Sequence, residues 1–428
     1  MAQLHLQLPS EVWNHIFGYL SVADKFNVRA SCKYFKRLVD HASLWKDWTI
    51  ILGFKKGSYN SQFWATLRRR KLSSVVVRSS KAKDLRQLAL CLPALTTVVM
   101  DQSAQETLNC LKDFPNVKRL VIRNSRTALL LDASTMSQPQ QLTHLNMCNV
   151  TFPTTSLGSF ISVISQFTNL TSLVCHQMGI FGEAVPIIHS IRGCLPKLKH
   201  LSLSVVHIFC ALHRLNSYPL GGAQEQASTL SSLELIDYTD HAMPDDALRC
   251  MSGLNRLAVF YKQEIWPSPV CHLKTWLHDL PQLSTLVVVH GPPVNMYVTS
   301  IPATVTSLTL CVAGLSSEDM AAVAVQLPNL LHLHIDPWPS HLGHHTAEIP
   351  KLFRKLKSLK LRHKHVPEKD FLHLHQLQDL EDLEILDPEP HLSEFIGKLQ
   401  ALTKYRLGVT TCRRHRDVLS CPCVCQVY

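Results

Sequence analysis

Apolar residues recur along most of the chain in one fixed pattern. The pattern is an apolar residue, two variable residues, an apolar residue, one variable residue and a third apolar residue. Copies recur on average about every 25 residues. The first positions of the fourteen copies are Leu72, Leu95, Val117, Leu142, Leu170, Leu198, Leu230, Leu254, Leu283, Val305, Leu330, Leu356, Leu380 and Leu402. This periodicity predicts a repeat architecture with one structural unit per copy.

Each copy predicts a short strand. Alternate side chains of a strand point to opposite faces, so Leu201 and Leu203 point inward and the residues flanking them point outward. Helices are predicted between the strands, as at 316–324, where Ser316 precedes two acidic residues suited to a helix N-terminus. Stacked units of this kind give a parallel sheet on one side and helices on the other. The alternative is an ordinary α/β fold with parallel strands. Such a fold would have fewer strands for this length, and its strands would not share one fixed sequence pattern.

The spacing and frame resemble those of leucine-rich-repeat proteins over residues 72–409. The resemblance implies an α/β solenoid shaped as a horseshoe, with the parallel sheet on its concave face. The Asn or Cys that this family carries three positions beyond the last strand apolar residue is mostly missing here. The resemblance therefore leaves the regularity and curvature of the repeats open.

The first fifty residues do not carry the repeat pattern. Val12, Trp13, Ile16, Phe17 and Leu20 form one apolar stripe at helical spacing. Two further short helices are predicted after it. A segment this small cannot bury so many large apolar side chains by itself, so we expect one face to be left for a partner.

An ordered set of residues in this segment resembles the F-box family. The set is Leu8-Pro9, Glu11-Val12, Ile16-Phe17, Tyr19-Leu20, Asp24, Cys32, Lys36-Arg37-Leu38-Val39-Asp40 and Ser43-Leu44-Trp45. The resemblance implies a small all-helical bundle that binds the Skp adaptor of cullin-RING ubiquitin ligases. Ser21-Val22-Ala23 departs from the family, which often has Pro there. The adaptor-binding residues implied by the resemblance are Leu8, Pro9, Glu11, Val12, Ile16, Phe17, Leu20, Asp24 and Val28.

Four segments follow from these patterns. They are an F-box helical domain at 1–52, a linker helix at 53–71, a solenoid of degenerate repeats at 72–409 and a Cys-rich tail at 410–428. The tail is interpreted as disordered and reduced. Zinc binding and lipidation of its cysteines are the alternatives.

Composition and charge narrow the class of protein. The chain has 428 residues, with 46% hydrophobic and 18% charged residues, which is typical of a folded protein. Fourteen cysteines at irregular spacings favour a reducing compartment. Neither a signal peptide nor an 18-residue apolar span is visible, so we expect a protein of the cytosol, the nucleus or both, without a membrane span. The net charge of +11 favours anionic partners, although a basic surface that only aids solubility is an equal alternative.

Catalytic and cofactor motifs are missing. The sequence has no GxGxxG, GxxxxGK[ST], HExxH or GxSxG pattern, so we expect no enzyme activity and no cofactor. Pairs such as His332 and His334 share a strand face and offer two metal ligands. No further ligand is spaced for them in the sequence, so we expect no metal site.

The combined resemblance implies a substrate receptor of a Skp–cullin–F-box ubiquitin ligase. The F-box would bind the adaptor and the repeats would hold a protein substrate. One alternative is an F-box scaffold that binds proteins without degrading them. A nucleic-acid binder is a further alternative suggested by the charge, but the aromatic platforms expected on a basic groove are missing.

Basic residues at outward strand positions predict the substrate surface. Clustered arginines can bind a carboxylate or phosphate with two parallel hydrogen bonds, which favours an acidic or phosphorylated segment of the substrate. The alternative is that these charges only keep the sheet soluble and that the substrate binds the loops or terminal repeats. The predicted substrate-binding residues are Arg78, Arg119, Arg123, Phe260, Lys360, Arg362 and Arg406.

Overall fold

A computed structural model gives the structure of the chain. It divides into two compact units, one within Met1–Leu170 and the other within Thr171–Gln426. The residues that the structure describes are 8–45, 48–54, 59–78, 81–125, 127–152, 157–178, 184–205, 229–240, 243–262, 271–337, 342–362, 365–386 and 392–412. Of the predicted tail at 410–428, residues 410–412 belong to the last strand and the rest, with the cysteines at 421, 423 and 425, lies outside the described residues.

Three short helices begin the first unit: α1 (Ser10–Gly18), α2 (Val22–Ser31) and α3 (Lys33–Val39). Ser21 is the N-cap of α2, because its hydroxyl accepts a hydrogen bond from the backbone amide of Asp24. Helices α1 and α3 share an aromatic core, in which the ring of Phe35 lies 4.9 Å from that of Trp13 and 5.5 Å from that of Phe17.

The rest of the first unit alternates strands with helices. Its strands are parallel and follow the order of the chain. They are β1 (Thr49–Gly53), β2 (Ser74–Arg78), β3 (Thr97–Asp101), β4 (Arg119–Arg123) and β5 (His144–Cys148). The helices are α4 (Ser61–Arg69), α5 (Ala82–Cys91), α6 (Gln105–Leu108) and α7 (Leu157–Ile164), with 3-10 helices at Ala42–Leu44, Asn109–Asp113, Ala133–Thr135 and Pro139–Gln141.

The second unit continues the same alternation, and its described strands also pair in parallel. The strands are β6 (Ser172–His176), β7 (His200–Ser204), β8 (Ser232–Tyr238), β9 (Arg256–Tyr261), β10 (Thr285–Val289), β11 (Ser307–Cys311), β12 (His332–Ile335), β13 (Ser358–Arg362), β14 (Asp382–Leu386) and β15 (Gly408–Cys412). The helices are α8 (Ala184–Cys194), α9 (His272–His278), α10 (Ser317–Gln326), α11 (Ile349–Leu352), α12 (Glu368–Leu372) and α13 (Leu392–Leu402), with 3-10 helices at Val294–Met296, Val298–Ser300, Gly343–Glu348 and His373–Gln376.

Strand register explains the repeat pattern. In the pairings described between predicted copies that form strands, the second apolar position of one copy lies opposite the same position of the next, as Leu286 does with Leu308 and Leu308 with Leu333. These side chains are buried and form rows through the core. The predicted fold class, a small helical region followed by a solenoid-like parallel sheet of strand–helix repeats, is confirmed.

Two details of the repeat frame differ from the prediction. Strand β1 precedes the first predicted copy, and its Ile50 and Leu52 pair with Val75 and Val77 of β2. It carries only two of the three apolar positions, so the pattern misses it. The last copy, placed at 402–407, is wrong: α13 runs to Leu402 and β15 begins only at Gly408.

Residues just after β3, β4 and β5 have left-handed backbone conformations. Gln102, Asn124 and Asn149 have φ values of 58°, 53° and 52°. Asn tolerates this region better than most residues. The Asn149 amide donates to the Asn124 side-chain oxygen (3.1 Å), and the Asn124 amide donates to the Asp101 carboxylate (3.0 Å). This ladder ties consecutive repeats together at the ends of their strands.

Replacing Leu308 by Ala is expected to lower the free energy of unfolding of the second unit by about 2–5 kcal/mol. Leu308 is buried between its partners in β10 and β12, and its loss leaves a cavity. Denaturant titration measures the cost. Hydrogen exchange should rise mainly in β10–β12, because each repeat contacts its neighbours. Faster exchange throughout α1–α3 instead would contradict this description of the core.

Candidate protein-binding surfaces

Helices α1 and α2, with Leu8 just before α1, carry exposed apolar side chains. Leu8, Val12, Ile16 and Phe26 expose 41%, 40%, 39% and 42% of their surface. Contiguous exposed apolar side chains on a soluble protein mark interaction sites more often than single ones do. We call this set, with Val22 beside it, the apolar helix face; it is suited to bind a partner through burial of apolar surface.

Most residues predicted to bind the adaptor lie on or beside this face. Leu8, Pro9, Glu11, Val12, Ile16 and Asp24 are exposed, and Leu20 and Val28 are half-buried. Phe17 does not fit the predicted role of a surface contact. It is only 3% exposed and its ring stacks on that of Trp13, so it belongs to the core of the helices. The helical stripe contains both core and surface positions, and its spacing alone does not separate them.

Sequence reasoning missed Tyr19, Val22 and Phe26 as surface apolar residues. Tyr19 is 79% exposed, and the other two are more than one third exposed. Their spacing along α1 and α2 was the available signal. Placing them on the surface required the packing of α2 against α3, because that packing decides which side of α2 is covered.

A buried carboxylate ties the three helices to α4. Asp40 is fully buried at the end of α3, and its oxygens accept two hydrogen bonds from Arg29 (2.9 and 3.1 Å) and two from Arg70 (2.8 and 3.0 Å). Arg70 follows α4 and is 2% exposed. Its guanidinium also lies 3.8 Å from the ring centre of Trp45, a cation–π contact. The apolar helix face is thereby held in a fixed position on the first repeats of its unit.

The electrostatics of Asp40 follow from these contacts. Burial by itself raises the pKa of a carboxyl group, but the hydrogen bonds and charges of Arg29 and Arg70 outweigh burial and hold the pKa of Asp40 below its usual value. Burial lowers the pKa of Arg70, and Asp40 opposes that shift. The group is therefore an ion pair that depends on both partners.

Two of the three predicted substrate residues of the first unit, Arg78 and Arg123, share one acidic partner. The guanidinium of Arg123 lies 3.6 Å from the carboxylate of Asp101, and that of Arg78 lies 4.0 Å from it. Arg123 is buried and Arg78 is exposed. Arg119 is exposed, with no acidic side chain of the described residues within 4.0 Å. The outward face of β2–β4 therefore keeps an excess of positive charge.

The basic residues near the end of the sheet are paired with acids on adjacent strands. Lys360 donates to Glu384 (2.9 Å), and Arg362 donates two hydrogen bonds to Asp336 (2.8 and 2.9 Å). Asp382 adds another carboxylate on β14. The outward face of β12–β14 therefore has no net excess of positive charge, which the sequence did not reveal because cross-strand pairing sets it.

The middle of the sheet is less open than predicted. Ser202 is an outward position of β7 but is fully buried, and its hydroxyl donates to Glu234 (2.9 Å). The His176 ring lies 2.8 Å from the same hydroxyl, and Arg256 donates to Glu234 (2.8 Å). The four side chains form a polar row across β6–β9. Because His176 and Ser202 are buried, this His–Ser–Glu grouping resembles a structural network more than a catalytic one.

Two other predicted substrate residues have different positions. Phe260 occupies an outward-facing position near the C-terminal end of β9, and its side chain is half-buried. Arg406 precedes β15, and its guanidinium donates to the backbone carbonyls of Leu377 and Leu380 (3.2 Å each). Its predicted place on the strand face is wrong, because the turn after α13 delays the strand.

A cluster of metal-ligand residues forms where the sequence showed only histidine pairs. The ligand atoms of Cys311, His334 and Asp336 all lie within 4.8 Å of one another. Cys311 belongs to the preceding repeat, so only strand pairing brings it to the histidine. Sequence spacing within one repeat could not reveal the cluster.

Comparisons with known proteins separate the two regions of the chain. The family model described as F-box-like matches residues 5–50. A search of curated proteins finds no match. Among solved structures, an internalin from Listeria monocytogenes is similar with a TM-score of 0.40 and 11% identity, covering 82% of this chain and 89% of that chain. The family match and the described strands together give a helical F-box-like region followed by a solenoid-like parallel sheet. In the part of the chain that the structure describes, no helix is both long and apolar enough to cross a membrane.

Proposed function

We propose that the chain is the substrate-recognition subunit of a Skp–cullin–F-box ubiquitin ligase. The observation that carries the proposal is the apolar helix face, which lies inside the F-box-like match at 5–50 and remains exposed while the core of the same helices is closed. F-box domains generally bind Skp adaptors. Burying several half-exposed apolar side chains would supply the driving force for docking.

The subunit would have no catalytic step of its own. The repeats would hold a protein substrate while other subunits transfer ubiquitin, so the contribution to the reaction is proximity. The ten described cysteines are free thiols, which fits a reducing compartment. We propose that the protein acts in the cytosol, the nucleus or both, with Skp–cullin complexes as its partners.

A non-degradative F-box scaffold is the alternative. Affinity purification of the full chain, with and without blocked proteasome activity, separates the two functions. A receptor should recover the Skp adaptor and a cullin, together with proteins that accumulate and carry ubiquitin only when the proteasome is blocked. Recovery of the adaptor with partners unchanged by the block would favour the scaffold, and absence of the adaptor would contradict both.

We further propose that an acidic or phosphorylated substrate segment binds the outward face of β2–β4. Arg78 and Arg119 are exposed there, and Asp101 is the one acidic residue that β2, β3 and β4 themselves carry. Lys360 and Arg362 contribute less, because each already has an acidic partner. A substrate carboxylate or phosphate would have to displace that partner before binding them.

Reversing Arg78 and Arg119 to Glu together is expected to weaken substrate capture by roughly tenfold or more, since hydrogen bonds to charged groups contribute about 1.5–3 kcal/mol each. The measurement is recovery of the proteins that accumulate on the parent chain when the proteasome is blocked. Reversal of Lys360 is the matched control and should have a smaller effect. Equal capture by both variants and the parent, with adaptor binding intact, would rule out this surface.

A further inference from the structure

Cys311, His334 and Asp336 are brought together by backbone register. Strand β11 pairs with β12 so that Thr309 lies opposite His334 and Leu310 opposite Ile335. The amide of Asp336 continues the pairing by donating to the carbonyl of Leu310 (3.0 Å). Cys311 and Asp336 are therefore adjacent at the ends of two strands. His334 lies two residues earlier on the same face.

The side chains converge within this frame. The Cys311 sulfur lies 3.9 Å from Nε2 of His334, and the three ligand atoms lie within 4.8 Å of one another. Cys311 and Asp336 are 5% and 6% exposed, whereas His334 is half-buried and gives the cluster a side open to solvent. Ligand atoms around a tetrahedral zinc ion are roughly 3.3–3.6 Å apart, given its usual bond lengths. Small side-chain rotations would close this difference.

We propose that Cys311, His334 and Asp336 bind one divalent transition-metal ion of the zinc class. A thiolate, an imidazole and a carboxylate form a ligand set that zinc accepts, whereas calcium and magnesium prefer oxygen ligands alone. On binding, the thiol proton of Cys311 is released to water and the sulfur binds as thiolate. The three protein ligands leave a fourth coordination position for water or for a side chain of a bound partner.

Arg362 is the positioning residue of this site. It holds both carboxylate oxygens of Asp336 through its fork of donors, at 2.8 and 2.9 Å. Each carboxylate oxygen has a second lone pair for a metal ion. Hydrogen-bonded partners of this kind fix the orientation of ligating carboxylates. The site is independent of the proposed ligase function, because it depends on β11–β13 and involves no residue of the apolar helix face.

Cobalt(II) titration of the full chain tests the proposal. Cys421, Cys423 and Cys425 are replaced by Ser in the background, so that tail thiols do not bind the probe. We expect one Co²⁺ per chain, with visible bands of a tetrahedral ion and a thiolate-to-cobalt charge-transfer band. Cys311→Ser should remove the charge-transfer band. His334→Gln should weaken binding at least about tenfold, the smallest loss usual for mutations around a metal site.

Cys148→Ser is the matched control, because Cys148 occupies the same strand position on β5 and is also buried. Its cobalt spectrum should equal that of the parent. His334→Gln keeps the thiol, and its metal-free melting temperature reports whether the fold is intact. A melting temperature that rises with added Zn²⁺ in the parent should not rise in this variant. The proposal is overturned if no thiolate band appears, if Cys311→Ser keeps it, or if Cys148→Ser loses it equally.

Discussion

Replacing Ile16 by Asp is expected to abolish co-purification of the Skp adaptor with the full chain. Ile16 lies at the centre of the apolar helix face between Val12 and Tyr19, and all three side chains are exposed. Docking would bury this position. An unpaired carboxylate taken out of water costs several kcal/mol, which is a loss of at least about a thousandfold in affinity. Pull-down with recombinant adaptor measures the effect.

Val325→Asp is the matched control for this variant. Val325 is 83% exposed on α10, outside the F-box-like region, so the same chemical change should leave adaptor binding at the level of the parent. Because Ile16 is already partly exposed, its replacement should leave the melting temperature of the chain nearly unchanged. Adaptor recovery by Ile16→Asp equal to that of Val325→Asp would remove the basis of the proposed docking face.

Replacing Asp40 by Leu is expected to lower the free energy of unfolding of the first unit by about 3–5 kcal/mol. The substitution leaves the guanidinium of Arg70 buried without its carboxylate, at 3% side-chain exposure. Arg29 loses the same partner, but its side chain is 25% exposed and can turn to water. Denaturant titration of the full chain, followed by the tryptophans of the first unit, gives the measurement.

A double variant separates the ion pair from general damage. With Asp40→Leu and Arg70→Met together no buried charge is left, and Met keeps a sulfur–aromatic contact with Trp45. The double variant should therefore be more stable than Asp40→Leu alone. Equal stability of the two variants would show that the cost comes from packing and not from an unpaired charge.

The same carboxylate predicts an acid-dependent loss of stability. The pKa of Asp40 is lower in the folded chain than in the unfolded chain. Its contribution is fully present above the unfolded pKa and is lost as pH falls through the folded pKa. The stability difference between the parent and Asp40→Leu should therefore shrink below about pH 4. An unchanged difference down to the acid limit of folding would contradict this assignment.

The sequence predicted the fold through its apolar pattern. Buried rows such as Leu308 and Leu333 leave a signal in every repeat, because each strand must bury the same two positions. The pattern failed where one repeat departs from it. Strand β1 lacks the first apolar residue, and the turn after α13 moves β15 four residues beyond the expected frame, with Lys404 and Tyr405 in left-handed conformations.

The sequence predicted less about the candidate sites, because it does not show which side chains are exposed or which charges are paired. Whether Phe17 faces the core and Ile16 the solvent depends on how α1 packs against α3. The charge of a strand position depends on the next repeat, as Asp336 shows by pairing with Arg362. Such relationships join residues roughly one repeat apart, and only the register of neighbouring strands creates them.

Hydrogen exchange of the full chain with and without purified Skp adaptor shows whether α1 and α2 bind that adaptor. If these helices bind the adaptor, exchange should become slower across α1 and α2, from Ser10 to Ser31, with little change in the strands of the second unit. The Ile16→Asp variant should show no slowing anywhere. Protection confined to the second unit, or no protection at adaptor concentrations that saturate an F-box protein of known structure, would contradict an adaptor-binding role for these helices.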